Sequence, residues 1–484
     1  MTEPCDLDAV AARRLIGAKK LAPTELLESC IARIEAVNPA VNAMVAFDFD
    51  RARAAAMAAD EAVARGDPLP PLHGLPLGVK DMQLTAGLRT TWGSPLFRDH
   101  VPSVDQGAVA RARAAGAIVL GKTNVPEFGL GANTRNPVYG PTGNPFNPQL
   151  SAAGSSGGSA VALATGMAPL ATGSDTGGSL RNPAAFCGVV GFRPTPGLVP
   201  NERRGVGASG LPVLGPMARS VPDVALLLSA MRGDDTRDVL NRSVPTMGAE
   251  CDLAGLRVAV TEDFGFAPTA RDVRATFAGK LALFRHIFAR CEVATPNCSG
   301  ADEAFAVLRA VGVLAEHGAK VREHPELCGP NLHANVQEGL RYSAQDVARA
   351  LATQTAIYQR WQTFFSNYDV ILSPAITISP RPWTELYPKE IDGKPTASYF
   401  HWLALAYAVT VVGHPALSLP VGLDHAGMPF GLQIVGPRDG DAKVMAVAAA
   451  LERELSGDPR TCRPLPDLEA LRRAPAIAAM SDSI

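Results

Sequence analysis

The chain lacks any strong excess of charge. Its 45 Lys and Arg residues nearly balance its 47 Asp and Glu residues, for a formal net charge of −2 over 484 residues. A nucleic acid or an anionic membrane is usually held by a strongly basic surface, so neither partner is expected. The eight cysteines have no CxxC spacing, and no Cys/His cluster has metal-ligand spacing, so no metal centre is predicted. The N-terminal residues MTEPCDLDAV also lack signal-peptide features, which predicts reduced thiols in a cytoplasmic protein.

Long apolar runs are scarce as well. The segment Trp402–Leu423 contains no Lys, Arg, Asp or Glu and is the candidate for a membrane span. However, Gly413, His414 and Pro415 interrupt it in the middle, and Pro420 interrupts it again. A buried helix followed by a core strand fits this pattern better than a transmembrane helix, so no membrane contact is predicted.

Helix and strand patterns alternate along the chain and predict an α/β fold. Helices are expected at 7–66, 105–115, 271–288, 301–366 and 442–454, with Thr24 as an N-cap in the first of these segments. Short strands are expected at 75–81, 117–120, 257–261, 370–373, 416–420 and 431–435. The strands are short and apolar, so helices should cover both faces of the sheet. No internal repeat or linker marks a domain boundary.

Two Gly/Ser clusters, Gly154–Ser159 and Gly173–Ser179, stand out from this pattern. They flank a short Ala-rich segment within the block Ser151–Gly197. Glycine at that density lets the backbone turn sharply and brings its N–H groups close to a ligand, at a cost in folding entropy. The block is therefore interpreted as a functional site.

Two short motifs suggest other chemistries. Residues 116–123, GAIVLGKT, satisfy the P-loop expression GxxxxGK(S/T) of NTPases, but the intervening residues form a strand pattern and Asn124-Val125-Pro126 follows where a helix should begin. Residues 154–158 satisfy GxSxG, the elbow that would make Ser156 a nucleophile. No strand is expected before that elbow, and His414 is interpreted as a turn histidine rather than as a triad member.

Several motifs, in the order in which they occur, resemble the amidase signature family of serine hydrolases. They are GLPLGVKD at 74–81, RARAAGAIVLGKTNVPEFG at 111–129, YGPTGNPFNP at 139–148, the block 151–197, and GHPALSLPVGL and GMPFGLQIVGP near the C-terminus. The resemblance implies an α/β/α fold with a large mixed central β-sheet covered by helices on both faces. It also implies one domain over 1–484, with N-terminal helices at 1–66, a signature core at 67–220 and substrate-shaping helices at 300–405.

The resemblance assigns the family's Ser–cisSer–Lys triad to Ser179, Ser155 and Lys80, with a cis peptide between Gly154 and Ser155. Ala153 stands where members usually have glycine, a departure outside the triad. The residues agree with these roles. The clusters contain no histidine, so a lysine whose pKa is lowered by burial is the available base for a serine.

The turn GSDTGGS is expected to supply the electrostatic part of the site. The backbone N–H groups of Thr176, Gly177, Gly178 and Ser179 can converge as an oxyanion hole, because two glycines remove the side chains that would block approach. The flanking Asp175 and Arg181 are interpreted as residues that brace this turn.

The implied reaction is hydrolysis of a small amide through an acyl-enzyme, with no metal or organic cofactor. The segments expected to shape specificity, around Trp92, Tyr139, 197–212 and 383–402, mix aromatic and apolar residues and suggest an uncharged aryl or alkyl amide. Esters, anilides and carbamates fit the same chemistry.

The family also contains the glutaminase subunit of the tRNA-dependent amidotransferase, which works in a complex and recognises the glutamine α-carboxylate with an arginine. In this chain Gln354 and Thr355 stand at that place, and Arg360 lies nearer the following strand. The small-amide interpretation is therefore preferred, with a small-molecule substrate as the expected partner. A homodimer is compatible with it.

Overall fold

A single sheet of eleven strands organises the molecule, in a computed structural model that describes residues 3–245 and 250–477. The strands run in the order β1-β3-β2-β8-β10-β9-β16-β17-β13-β11-β12. The bounds of all strands are β1 (Met44–Phe47), β2 (Pro76–Lys80), β3 (Ile118–Thr123), β4 (Arg135–Asn136), β5 (Gly140–Pro141), β6 (Gly143–Asn144), β7 (Asn147–Ser151), β8 (Leu170–Asp175), β9 (Val190–Arg193), β10 (Val213–Ala218), β11 (Arg257–Val260), β12 (Arg290–Val293), β13 (Val370–Pro374), β14 (Glu390–Ile391), β15 (Lys394–Pro395), β16 (Ala416–Leu423) and β17 (Pro429–Val435).

The sheet is mixed. Strand β2 runs parallel to β3 and β8, and β11 runs parallel to β12 and β13, whereas the remaining pairs are antiparallel. Parallel strands end at the same edge of a sheet. Lys80 at the end of β2 and Asp175 at the end of β8 therefore lie at one edge, which is where the second Gly/Ser cluster leaves the sheet.

Helices cover both faces, as the α/β/α expectation requires. Their bounds are α1 (Ala9–Gly17), α2 (Pro23–Val41), α3 (Phe49–Arg65), α4 (Gly107–Ala114), α5 (Gly157–Ala164), α6 (Arg181–Cys187), α7 (Val221–Met231), α8 (Arg271–Phe284), α9 (Ala301–Glu323), α10 (Pro330–Arg341), α11 (Ala344–Phe365), α12 (Ala404–Val412), α13 (Asp441–Leu455) and α14 (Leu468–Arg473). Helices α5 and α6 pack against each other and on the strands at the site, and α7 packs with α13. Each Gly/Ser turn leads into the first turn of α5 or α6.

The uncharged run Trp402–Leu423 forms the buried helix α12 and the core strand β16, as the sequence predicted. Within residues 3–245 and 250–477, no helix has both the length and the apolar character needed to cross a bilayer.

Four local predictions were wrong. The segment 7–66 is not helical throughout, because β1 pairs antiparallel with β3 in its middle. Thr24 is not an N-cap, since α2 begins at Pro23, whose fixed φ and missing N–H suit a first helical position. The α-helix expected at 271–288 ends at Phe284, and a 3-10 helix at Arg285–Ile287 separates it from strand β12. A strand does precede the GxSxG motif, but this strand, β7, pairs only with β6 in a small separate sheet.

Candidate active site

Lys80 is at the centre of the site. Its side chain is fully buried, and its Nζ lies 2.8 Å from the Oγ atoms of Ser155, Ser156 and Ser174. Burial lowers the pKa of Lys80 from 10.5 to about 7, because removing an ammonium from water disfavours its charged form, and the negative charge of Asp175 offsets only part of this effect. A substantial fraction of the amine is therefore neutral near pH 7.

The two Gly/Ser clusters meet beside this lysine. The Gly154–Ser155 peptide bond is cis, and Ser155 is 3% exposed. The N–H of Ser156 donates to the carbonyl oxygen of Ser179 at 3.2 Å, which fixes one turn against the other. Ser179 is partly exposed, and its hydroxyl donates to no acceptor among the described residues. The structure thus joins Lys80 to Ser155 through side chains, and Ser179 to the same cluster through the backbone.

The turn Thr176–Ser179 presents free backbone donors. Gly178 has φ +105°, and a Cβ there would lie 2.5 Å from the Cβ of Ala406, so only glycine fits. Its N–H donates to Asp175 Oδ1 at 3.0 Å. This differs from the expected set of four oxyanion donors, because the carboxylate already occupies the N–H of Gly178. The N–H groups of Thr176, Gly177 and Ser179 have no acceptor among the described residues.

Asp175 and Arg181 form a buried brace, and Arg193 completes it. Arg181 Nη2 and Arg193 Nη1 lie 2.9 and 3.2 Å from Asp175 Oδ1, and all three side chains are fully buried. Burial disfavours the charged carboxylate, but the two guanidinium groups outweigh this effect and hold the pKa of Asp175 well below its usual range. Asp175 also accepts from the N–H of Leu180, so its two oxygens hold the turn at Gly178 and at Leu180.

The sequence analysis did not single out Arg193. The feature that could have indicated its role is its position, because it is a charged residue at the end of the apolar strand Val190–Arg193. Ser156 and Ser174, which the sequence analysis did not assign to the triad, both contact Lys80. Ser159 bonds to Thr172 and Thr123 in the core below.

Met82 and Phe305, which the sequence analysis did not single out, lie close to the serine turns. A Cβ on Gly129 would lie 3.4 Å from both Ser155 Oγ and Met82 Cε, and one on Gly177 would lie 3.1 Å from Phe305. Trp92 supports Met82, because its Nε1 donates to the Met82 carbonyl. Tyr139 instead packs under the guanidinium of Arg89, at 5.2 Å from the ring centre.

The remaining motifs have structural roles. His414 is buried, with Nδ1 2.8 Å from the carbonyl of Gly436 and Nε2 3.0 Å from Gln362, and burial lowers its pKa to about 4. Ser156, the elbow candidate, precedes α5 and contacts Lys80 rather than a histidine. Among the described residues, no group of three His, Cys, Asp or Glu side chains is arranged to hold a metal ion.

Lys122, the lysine of the P-loop expression, lies inside strand β3, which extends beyond the predicted strand at 117–120, and is fully buried. Its Nζ donates to the carbonyl of Gln83 and to Thr85 Oγ1, and lies 3.7 Å from the buried Asp81. Burial lowers the pKa of Lys122 to about 8, although the attraction of Asp81 opposes this shift. Lys122 thus anchors the segment that follows Lys80.

Replacing Lys122 by methionine is expected to lower the free energy of unfolding by about 3–5 kcal/mol, since it leaves the Asp81 carboxylate buried without a cation. The kcat of the folded protein should stay within about tenfold of wild type, because Lys122 contacts no candidate catalytic group. Denaturant unfolding of wild type, Lys122→Met and the double variant Lys122→Met/Asp81→Asn measures the free energy of unfolding. The double variant should recover part of the lost stability, because it no longer buries an unpaired carboxylate. Unchanged stability, or ATP binding that Lys122→Met removes, would contradict the structural role.

Comparison with known proteins identifies the family of the chain. The Amidase family matches residues 25–445. An acylamidase of Rhodococcus erythropolis is 35% identical over 92% of this chain and 95% of its own length. A glutamyl-tRNA(Gln) amidotransferase subunit of Roseiflexus castenholzii is 34% identical over 94% of this chain and 96% of its own length.

Among solved structures, a bacterial aryl acylamidase of the amidase signature family superimposes with a TM-score of 0.86 at 27% identity, covering 98% of this chain and 99% of that one. Matches in sequence and in structure thus extend over nearly the whole chain. The chain therefore belongs to the amidase signature family and is an enzyme that hydrolyses carbon–nitrogen bonds.

Proposed function

We propose that this chain is an acylamidase that hydrolyses small aryl or alkyl amides through an acyl-enzyme on Ser179. The observation that carries the proposal is the buried amine of Lys80, held 2.8 Å from Ser155 Oγ with a pKa lowered to about 7 by burial. A serine hydroxyl is a weak nucleophile until a nearby base removes its proton. A lysine that is partly neutral at physiological pH can be that base.

The proton path runs from Ser179 to Ser155 and then to Lys80. Ser155 is the intermediate group, because its hydroxyl can donate to the neutral amine while it accepts the proton of Ser179. Ser156 and Ser174 accept hydrogen bonds from the same Nζ at 2.8 Å. The ammonium formed by the transfer therefore meets three hydroxyl oxygens that are already in place.

The developing oxyanion is stabilised by the N–H groups of Thr176, Gly177 and Ser179. These donors point from a turn that is fixed by Asp175, so little reorganisation is needed when charge appears on the substrate oxygen. Collapse of the tetrahedral intermediate expels the amine, which takes the proton back along the same path. Water then attacks the acyl-enzyme by the same steps and releases the carboxylate.

A second candidate is the glutaminase subunit of an amidotransferase, because a relative of that kind matches the chain as fully as the acylamidase does. The side chains at the place of the expected arginine do not favour it. Gln354 Nε2 donates to the carbonyl of Val411, and the hydroxyl of Thr355 donates to Leu351 within its own helix. Arg360 donates to the carbonyl of Ser299. None of the three interacts with the candidate site.

The proposal predicts that a fluorophosphonate labels the wild-type protein at Ser179 alone and abolishes the release of para-nitroaniline from a neutral anilide. Peptide mapping by mass spectrometry identifies the labelled serine. Ser155 and Ser156 lie nearby and provide internal controls, because a probe that reacts only by proximity would modify them too. Labelling of Ser156 with Ser179 unmodified would revive the elbow interpretation. Hydrolysis of glutamine without hydrolysis of any anilide would favour the amidotransferase function.

A further inference from the structure

A cleft of about 620 Å³ lies between helix α10 and the segment 386–400. It is larger than a short alkyl amide requires, and it falls within the usual range for small-molecule sites. The mechanism proposed for Ser179 makes no use of it. Its chemistry can be worked out from the side chains that line it.

Aromatic rings form much of its wall. Tyr387 and Tyr399 lie with ring centres 6.2 Å apart, and Tyr399 stands perpendicular to Phe400 at 5.4 Å. The hydroxyl of Tyr399 is fixed from behind, because it accepts from Arg309 and donates to Asn335 Oδ1 at 3.0 Å. Rings in tilted and edge-on arrangements form a rigid surface on which another aromatic group can pack.

The charges on the wall are predominantly positive. Glu338 is already neutralised, since one of its oxygens is ion-paired with Arg309 and the other accepts from the hydroxyl of Tyr342. Arg341 and Lys389 also line the cleft, and neither forms an ion pair with any residue that the structure describes. The ammonium of Lys389 lies 4.0 Å from the ring centre of Tyr387, so charge and aromatic surface occur together.

Side-chain contacts link both walls of the cleft to residues beside the candidate active site. Asn331, on its α10 wall, donates to the carbonyl of Leu130, next to the Gly129 that approaches Ser155. On the other wall, Phe400 packs at 5.6 Å against Phe305, and Phe305 touches Gly177 of the oxyanion turn. The cleft therefore lies on the side of the candidate active site that is formed by Gly129 and Gly177.

We propose that the cleft binds the distal end of the substrate, an aromatic group that carries a carboxylate or a similar anionic substituent. The inference rests on the proposed function and refines it, because the sequence suggested an uncharged amide. An aromatic anion matches both the exposed rings and the two cations that have no carboxylate partner among the described residues.

The test uses two para-nitroanilides of an arylpropanoic acid that differ at the far end of the ring, with a carboxylate in one and the isosteric, neutral nitro group in the other. Wild type should prefer the carboxylate substrate through a lower KM. The variant Arg341→Gln/Lys389→Gln should lower the ratio of the two kcat/KM values about tenfold, since exposed ion pairs contribute a factor of a few each. Lys394→Gln removes an exposed lysine that does not line the cleft and should keep the wild-type ratio. Added salt should reduce the preference in wild type.

A ratio that the double variant does not change, or a wild type with no preference, would overturn the inference. Hydrolysis of the neutral anilide at Ser179 would at the same time leave the proposed function standing. Calorimetry with the free carboxylate-bearing arylpropanoic acid tests the cleft without turnover. Binding in wild type that the double variant weakens about tenfold supports the cleft even if neither anilide is cleaved, and equal binding in both proteins contradicts it.

Discussion

Replacing Ser179 by alanine is expected to lower kcat on any amide that the wild type cleaves by at least about four orders of magnitude. The proposed mechanism has Ser179 as its only nucleophile, and a methyl group cannot form the acyl-enzyme. The fold should survive, because the Ser179 hydroxyl makes no hydrogen bond among the described residues and its carbonyl contact with Ser156 is kept. Steady-state kinetics on an anilide measures the loss of kcat. Thermal unfolding tests whether the fold survives, and its midpoint should be close to that of wild type.

Ser156→Ala is the matched control for this prediction. Ser156 lies beside Ser155 and also contacts Lys80 at 2.8 Å, so it experiences much the same surroundings. Its loss should cost about one to two orders of magnitude, because one acceptor for the lysine disappears while the nucleophile remains. If Ser156→Ala is inactive and Ser179→Ala keeps its activity, Ser156 and not Ser179 is the nucleophile.

The second large effect is expected at Lys80. Because the proposed mechanism uses the neutral amine as the base, kcat/KM should rise about tenfold per pH unit below a pKa of about 7 and level off above it. The rate should rise with pH in this range because burial lowers the pKa of Lys80 to about 7. Acid protonates the lysine and removes the base, whereas alkali leaves it neutral. Lys80→Arg keeps a cation that cannot deprotonate, so its rate should fall by about three orders of magnitude or more at every pH.

A pH–rate profile of wild type, Lys80→Arg and Lys80→Met, with chemistry as the slow step, measures this. Lys80→Met has a similar length without a basic atom, so it separates loss of the base from the strain of a buried guanidinium. Ser155→Ala should retain more activity than either if water replaces its hydroxyl, although it should still lose about two orders of magnitude. A near wild-type rate in Lys80→Arg, or a flat wild-type profile, would remove the lysine from the role of base.

The sequence predicts the elements with clear periodicity and misses those that depend on a partner. Strand β2, ending at Lys80, and helix α12 were predicted because their apolar patterns are strong. Strand β1 was missed, since its four residues, MVAF, are continuous with helical patterns on both sides and only pairing with β3 makes them a strand. The split of 1–484 into regions remains a prediction.

For the site, residue types and motif order predicted which residues come together. They could not predict which hydrogen bonds those residues form. Lys80, Ser155 and Ser179 are brought to one edge of the sheet, although their catalytic roles remain proposals. The sequence could not show that Asp175 takes the N–H of Gly178, because that contact depends on a φ of +105°. Nor could it show that Lys80 contacts Ser174, since this requires the parallel pairing of β2 with β8.

The brace around Arg181 also has a consequence for biosynthesis. Arg181 Nη1 donates to the carbonyl of Ala406 and to Gln433 Oε1, and Nη2 donates to Thr410, all more than two hundred residues further along the chain. A ribosome that has completed both Gly/Ser clusters has therefore not yet made the groups that hold Arg181 against Asp175. Until α12 and β17 are synthesised and docked, Arg181 lacks these three partners, and only Asp175 and Arg193 hold the turn around Gly178. We therefore expect a nascent chain that already contains Ser179, the proposed nucleophile, to become active only after its C-terminal part has folded.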